Sequence, residues 1–259
     1  MATYKKRGYK PKTEKEKDVI DQDLGENSTT AEVFDALDET ASKTEDFVAA
    51  NQKYIFIIIG AVAALVLSYL AYTKLVQEPA NADGMNEMYH AQKQFNDAAN
   101  GVSSDSLYTV ALNGSEGKYG MLDVIKEYSG TPASNLANYY AGMAYLNLKD
   151  YKNAITHLDK FESDDQAAGP MAKGSIGDAF IQLNQPEQAL KYYLQAAKMR
   201  TNELTAPTYY YKAGLTALNL GKASEALGYF NTIKDSYPNA PEASTVDVFI
   251  GKAQAMSNK

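Results

Sequence analysis

The chain has 259 residues, a formal net charge of −7 and no cysteine. The lack of cysteine excludes disulfides, thiolate metal sites and a cysteine nucleophile. Nucleic acid is not expected as the main partner, because acids outnumber basic residues before the long apolar stretch (12 against 9) and after it (20 against 16).

The first 28 residues form a tail whose charge changes sign. Residues 1–17 hold seven Lys or Arg side chains and two acids. With few apolar groups to bury, the tail is expected to be disordered. The basic arm is either a solvated segment that only sets membrane topology or a contact for anionic headgroups or ribosomal RNA. Acids then dominate, with ten against two lysines over residues 18–53.

Residues 29–53 are predicted to form an acidic amphipathic helix. Thr29 and Glu32 have the spacing of a capping box. An anionic leaflet would repel the acidic face, so a groove in a partner protein suits the apolar stripe better. The alternative is a solvent-exposed extension of the next helix. The stripe consists of Val33, Phe34, Leu37, Ala41, Thr44, Phe47 and Val48.

A transmembrane helix is predicted at residues 54–73. Residues 54–72 carry no charged side chain, and a helix of this length reaches about 28 Å, close to the thickness of the bilayer hydrocarbon. Tyr54, Tyr69 and Tyr72 lie near its two ends, where tyrosine favours the membrane interface. A buried core helix, the alternative, would normally carry a polar stripe.

The position of this helix predicts an uncleaved anchor, because the apolar core of a signal peptide is shorter and nearer the N-terminus. Lysines close to the two ends balance, with Lys43 and Lys53 on one side and Lys74 and Lys93 on the other. The short N-terminal flank carries nine basic residues in all. We therefore expect a cytoplasmic N-terminus and a C-terminal domain across the membrane.

Residues 84–134 are predicted to form an irregular first helical pair, as terminal members of repeat arrays often do. Pro79 and Gly84 predict a break in the helix over residues 77–84. One helix is expected to end near residue 99, and a loop rich in Ser, Asp and Gly to run to about residue 117. A second, short helix should follow.

Three later stretches repeat one pattern of small and large side chains. In each, a glycine is followed 12 positions later by an alanine, and the alanines recur after 35 and 37 positions. This period resembles the tetratricopeptide repeat, in which small residues let two antiparallel helices cross closely and neighbouring pairs must stack. The predicted fold is all-α: a single transmembrane helix, a tetratricopeptide-repeat solenoid over residues 135–240, and a capping helix over 241–259. The recurring residues are Gly142, Gly177, Gly214, Ala154, Ala189 and Ala226.

The first helix of each repeat lines the concave face of such a solenoid. Three apolar–amide pairs recur there, and an amide can both donate to and accept from a peptide backbone. Packing at helix ends is the alternative. No Lys or Arg pair occupies these positions, so a clamp for a C-terminal carboxylate is not expected. The predicted concave face, with repeats at 135–168, 170–203 and 207–240, consists of Leu136, Tyr139, Met143, Leu146, Asn147, Met171, Asp178, Ile181, Gln182, Thr208, Tyr211, Leu215, Leu218 and Asn219.

No catalytic constellation is recognisable, so neither an enzyme nor a cofactor nor a metal site is expected. His90 and His157 lie in different helical pairs without an acidic or nucleophilic partner at a familiar spacing. Asp164 and Asp165 are too small a set for a metal site and suit a solvated turn. The tyrosine clusters at 139–140, 192–193 and 209–211 are expected mainly to pack the repeats.

The order of these elements resembles the YfgM family of bacterial inner-membrane proteins from about residue 30 to the end. The most specific segment is YSGTPASNLA at residues 128–137, which is similar to the start of that family's first regular repeat. The resemblance implies an ancillary subunit of the SecYEG translocon whose periplasmic repeats work beside the membrane-anchored chaperone PpiD or contact emerging secreted polypeptides. The basic tail departs from the family pattern, so its role stays open. Contacts with the membrane or translocon are expected at Val33, Phe34, Leu37, Phe47, Tyr54 and Leu67.

Two other functions fit the same layout. One is an adaptor in another envelope machine, such as secretion or cell division. The other is a regulator acting through the cytoplasmic tail. Deleting residues 1–50 would abolish function in the last case while loss of the repeats would not, whereas a translocon subunit needs both the span and the repeats.

Overall fold

The computed structural model describes residues 29–101 and 104–257, with side chains from 47 to 101 and from 105 to 257. The tail predicted over residues 1–28 lies outside them. The described residues divide after Leu70 into two compact units. All their regular structure is helical, with no strand among them, which confirms the all-α prediction.

The described part of the first unit is helical and belongs to α1 (Thr29–Tyr72), whose last two residues fall in the second unit. Its apolar side chains are exposed, from Phe47 and Tyr54 to Leu67. Among the described residues, one helical stretch is long and apolar enough to cross a membrane, and no residue in its most apolar window is buried. The predicted contact residues Val33, Phe34 and Leu37 lie outside the side chains that the structure describes.

The predicted break over residues 77–84 is wrong. A π-helical turn (Thr73–Gln77) is followed directly by α2 (Glu78–Ala99). The Glu78 N–H donates to the Thr73 carbonyl, so the hydrogen-bond register shifts just before Pro79, which has no N–H to donate. Gly84 is a packing site, because an added Cβ would lie 2.9 Å from the Ala133 Cβ.

The region before the repeats holds three helices, not the predicted pair. α2 is followed by α3 (Ser104–Asn113) and α4 (Met121–Glu127). The predicted loop up to residue 117 therefore contains a helix. It forms because its apolar residues recur at helical spacing and join a buried cluster with Met88 and Ala91 of α2. Those α3 residues are Leu107, Tyr108 and Leu112.

Three helical pairs follow at the predicted period. They are α5 (Pro132–Asn147) with α6 (Tyr151–Leu158), α7 (Ala168–Gln182) with α8 (Pro186–Met199), and α9 (Ala206–Asn219) with α10 (Ala223–Ser236).

The period arises from how each pair crosses. An added Cβ at the recurring glycine would lie 2.5 Å from the Leu158 Cγ in the first pair. It would lie 2.6 Å from the Tyr193 ring in the second and 2.5 Å from the Phe230 ring in the third. Only glycine therefore lets the large side chain of the second helix reach the backbone of the first.

A short 3₁₀ turn (Pro241–Ser244) leads to the last helix, α11 (Val246–Ser257). One face of α11 packs on α10 through buried Val246 and Ala253. Gly251 lies 37 positions after Gly214, so α11 matches the first helix of a further pair. Nothing lies within 4 Å of an added Cβ at Gly251, and Asp247 and Gln254 beside it are exposed. α11 thus leaves exposed the face on which a further helix would pack, as expected at the end of a stack.

Candidate functional site

The three apolar–amide pairs of the predicted concave face differ in exposure. Ile181 is 39% exposed beside an exposed Gln182. Leu146 is half-buried, and Asn147 is exposed with its Nδ2 donating to the carbonyl of Met143 (2.8 Å). The apolar–amide pair Ile181–Gln182 is therefore the most accessible of the three to a ligand.

In the third apolar–amide pair, the structure corrects the expectation for Leu218. This side chain is 7% exposed and belongs to the core shared by the second helical pair, the third helical pair and α11. It offers a ligand almost no surface, because α9 packs between neighbours on both sides. Asn219 beside it is exposed.

The predicted concave-face residues of the first helical pair mainly pack inside the domain. Leu136 packs against the cluster before the repeats, and Tyr139 and Met143 pack against the cluster between α5 and α8. The Tyr139 ring lies 5.0 Å from that of Phe161, and burial raises the pKa of its phenol. These side chains join neighbouring pairs and add only partial surface to a groove.

Asp178 is the centre of a polar contact between the second and third pairs. Its carboxylate accepts from the Tyr193 hydroxyl (2.7 Å) and from Lys212 Nζ (2.7 and 2.8 Å). The Lys212 ammonium also lies 5.6 Å from the ring centroid of Tyr193 and 5.8 Å from that of Tyr209. Asp178 therefore binds the repeats to each other, and its partly exposed ion pair lies one helical turn before Ile181.

Burial raises the pKa of both tyrosines in this contact, and the hydrogen bond to Asp178 raises the pKa of Tyr193 further. Both phenols therefore stay protonated at neutral pH. Tyr193 therefore acts as a fixed hydrogen-bond donor in this contact.

The predicted concave-face residues of the third helical pair also make contacts within the domain. Tyr211 packs edge-to-face on Phe249 of α11, with ring centroids 5.4 Å apart. Thr208 donates its hydroxyl to Glu242 (2.6 Å), and Leu215 is partly buried against the same core. These residues fix α11 and the preceding turn to the third pair.

Sequence reasoning missed two strongly exposed apolar side chains, Leu204 and Val248. Val248 is 75% exposed and lies three residues before Gly251, as Tyr211 lies three residues before Gly214. The glycine period could therefore have placed Val248 on the predicted concave face. Met171, which was predicted, is exposed as well.

The histidines have local partners. His157 Nδ1 lies 2.9 Å from the Asn138 Oδ1, and its ring stacks on Tyr145 at 5.5 Å. Burial lowers the pKa of this imidazole, and nearby Lys160 adds to the effect. His90 Nε2 lies 3.4 Å from the Ser115 hydroxyl, which is too long for a strong hydrogen bond.

Both acids in the loop before α7 make structural contacts. Asp165 accepts backbone N–H groups of Ala167 and Ala168, both at 2.8 Å, and these bonds lower the pKa of its carboxyl. Asp164 accepts from Arg200 (3.1 Å). Within the described part of the chain, no group of three or more His, Cys, Asp or Glu residues could hold a metal ion.

Comparison with protein families gives two matches. Models described as tetratricopeptide repeat match residues 136–165 and 175–241. The chain contains tetratricopeptide repeats. These matched ranges cover the first predicted repeat and the second and third together. Proteins of such repeats are typically non-enzymatic, and the repeats give this chain the architecture of a protein-interaction scaffold.

Two solved structures are similar in fold. They are a putative kinesin light chain of Podosopora anserina with nearly identical TPR-like repeats and a variant form of it. Each is 12% identical, with a TM-score of 0.48, and covers 68% of this chain and 88% of the other. At that identity the likeness concerns the fold alone. The comparison with curated proteins gives no match.

Proposed function

We propose that the chain is an ancillary subunit of the SecYEG translocon in a bacterial inner membrane. In this proposal α1 is the anchor, and the repeats lie in the periplasm. They bind a membrane-anchored chaperone similar to PpiD, or secreted polypeptides as they emerge. The layout of the sequence, the exposed apolar α1 and the repeats all support the proposal.

The accessible Ile181–Gln182 pair carries the binding part of the proposal. A peptide segment laid along α7 would cover the Ile181 side chain and could exchange hydrogen bonds with the Gln182 amide. Met171 is exposed near the start of the same helix, so apolar contacts are available along about two to three helical turns. The half-buried Leu146 would add a further contact on α5.

These contacts favour weak and reversible binding. Fully burying an apolar side chain contributes about 1.5–3 kcal/mol, and Ile181 and Met171 are already more than half buried. Two or three such contacts, after the entropic cost of association, correspond to affinities on the order of micromolar or weaker. A scaffold that hands chains to a chaperone needs such short-lived contacts.

The anchor would offset this weakness. Confining the repeats beside a membrane channel raises the effective concentration of any emerging segment, so binding becomes close to intramolecular. The nine basic residues before the span favour a cytoplasmic N-terminus. That orientation would put the repeats on the side where secreted chains emerge.

Site-specific photocrosslinking in native membranes tests the proposal. A photoreactive residue replaces Phe47, Leu67 or Ile181 in the full chain, and a fourth variant carries it at exposed Lys152 as a matched control. We expect Phe47 or Leu67 to capture a translocon subunit. We expect Ile181, but not Lys152, to capture a chaperone or a nascent secreted chain.

Two results would count against the proposal. Capture of only secretion or division components at all positions would favour an adaptor in another envelope machine. Equal capture at Ile181 and Lys152 would remove the role of the predicted concave face.

A further inference from the structure

A groove of 490 Å³ lies on α8, away from the predicted concave face. Leu194 is the accessible apolar side chain of this groove, beside the buried Leu190, and Lys191, Lys198 and Lys222 lie around them. We call this surface the α8 groove. Leu190 is 5% exposed, Leu194 is half-buried, and the three lysines are exposed. The groove is thus a recessed apolar floor with a cationic rim.

The backbone holds the rim residues in place from two elements. Lys191 and Lys198 are seven residues apart on α8, which places them on one side about 10 Å apart along the axis. Lys222 follows the end of α9, where Gly221 has φ +74°. The Gly221 N–H donates to the Leu218 carbonyl (3.1 Å) and the Lys222 N–H to the Ala217 carbonyl (2.8 Å). This Schellman motif fixes the position of Lys222 beside α8.

The charge of the α8 groove differs from that of the part of the chain after the apolar stretch, where acids outnumber basic residues by 20 to 16. Among the described residues, no ion pair joins Lys191, Lys198 or Lys222 to a carboxylate. Glu187 is the single acid that lines the groove. The site therefore keeps an excess of positive charge that is not neutralised by these residues.

A larger groove of 980 Å³, near the start of α5, shows the contrast. There Lys173 pairs with Asp159 (2.8 Å) and Arg200 with Asp164 (3.1 Å). Two of its three lining cations, Lys173 and Arg200, are thus paired with carboxylates, and Lys160 is the third. In the α8 groove, none of the three lysines has an ion-pair partner among the described residues.

We propose that the α8 groove binds an acidic amphipathic segment of a partner protein. An apolar side chain of the segment would enter the groove over Leu194, with the aliphatic parts of the lysine side chains around it. Carboxylates two helical turns apart would match the spacing of Lys191 and Lys198, and a third would reach Lys222. The charges would speed encounter and set the orientation of the segment, while the apolar floor would supply most of the affinity.

The recessed floor favours a protein segment over an anionic membrane. Binding to a lipid surface requires apolar side chains that protrude between the headgroups. Leu190 is almost fully buried and Leu194 lies half-buried between the lysines. A side chain of a partner can reach them from above, but they cannot insert into a bilayer.

A peptide-binding measurement on the full chain in zwitterionic nanodiscs tests the proposal. The probe is a labelled amphipathic peptide of about four helical turns, with leucines three and four residues apart and glutamates elsewhere. A peptide with lysine in place of glutamate is the probe control. Fluorescence anisotropy measures Kd at low and moderate salt.

The test variant is Lys191→Glu, Lys198→Glu and Lys222→Glu together. The matched control, Lys118→Glu, Lys152→Glu and Lys252→Glu, changes the net charge equally at exposed lysines outside the groove. We expect the test variant to weaken binding of the acidic peptide about tenfold or more and the control to change it less than about twofold. Leu194→Gln should also weaken binding, with the thermal unfolding of each variant measured to show that the fold persists.

Three results would overturn the proposal. They are equal binding of the basic peptide, equal weakening by both triple variants, and no peptide binding while phosphatidylglycerol vesicles bind through the same lysines. The last result would assign the groove to a membrane surface. None of these results depends on the translocon, so this inference and the proposed function can fail separately.

Discussion

Two regions of this chain carry similar apolar side chains in opposite surroundings. Along α1 from residue 54 to 72, Ile, Val, Leu and Tyr side chains are exposed on every side. In the repeats, Phe230, Leu158 and Ile176 are completely buried. The repeats therefore bury their apolar side chains by stacking on each other, whereas the described residues supply no such cover for the apolar side chains of α1, which suit a lipid or protein environment.

The largest expected effect comes from placing charge in α1. Val62→Arg with Val66→Arg should disfavour membrane insertion by about 2.5–3.5 kcal/mol per arginine. Alkaline carbonate extraction of the full chain measures the fraction that stays in membranes, which we expect to fall strongly. Asn51→Arg with Gln52→Arg, just before the span, is the control. Unchanged retention of the first variant would contradict a spanning α1.

The corresponding test in the repeats replaces a buried phenylalanine by alanine. Phe230→Ala should lower the free energy of unfolding by about 3–5 kcal/mol, because it leaves a cavity between α9, α10 and α11. Exposed Val248→Ala should change it by less than about 0.5 kcal/mol. Urea unfolding followed by circular dichroism measures both. Similar losses in the two variants would show that the third pair is not packed as described.

Gly214 of α9 and Gly251 of α11 occupy equivalent positions but differ in what surrounds them. Gly214→Ala should destabilise by about 1–3 kcal/mol, since the new methyl group meets the Phe230 ring. Gly251→Ala should stabilise by about 0.5–1 kcal/mol, since it meets open space and alanine favours helix. Thermal unfolding gives the sign of each change. A loss of stability in both variants would mean that α11 has a partner over its outer face.

The smallest expected effect is a pH dependence at His157. Because burial lowers the pKa of its imidazole from the usual 6.5, the unfolded chain binds this proton more readily than the folded chain. Stability should therefore be full above about pH 7 and decline as pH falls through 6.5, levelling off below the folded pKa.

Denaturant unfolding of the wild type and of His157→Gln over this pH range measures the effect. The variant should lose the part of the slope that belongs to His157. An unchanged slope would mean that the imidazole is not the group that titrates.

The helical pairs could be predicted from the sequence because their packing requires a small residue where the two helices of each pair cross. Large side chains of the second helix leave no room for a Cβ at Gly142, Gly177 and Gly214. Glycine therefore recurs at these positions, and its period can be read from the sequence. The long apolar part of α1 is equally visible, because an uncharged run of this length can be read directly from the sequence.

The rest depends on contacts between residues distant in the chain. Tyr193, Lys212 and Asp178 meet only once the second and third pairs stack. The same stacking buries Leu218, and the turn after α9 places Lys222 beside α8. Pro79 misled the prediction because a π-helical turn accommodates it. Local propensity does not report such tertiary effects.

In the proposed function, one membrane span separates the N-terminal tail from the repeats. Because the chain has no cysteine, single cysteines can report this directly. Thr13→Cys and Asn219→Cys would be treated in intact cells with a maleimide that crosses the outer but not the inner membrane. We expect Asn219→Cys to react at once and Thr13→Cys only after the inner membrane is permeabilised. Equal labelling of both in intact cells, or the reverse order, would contradict it.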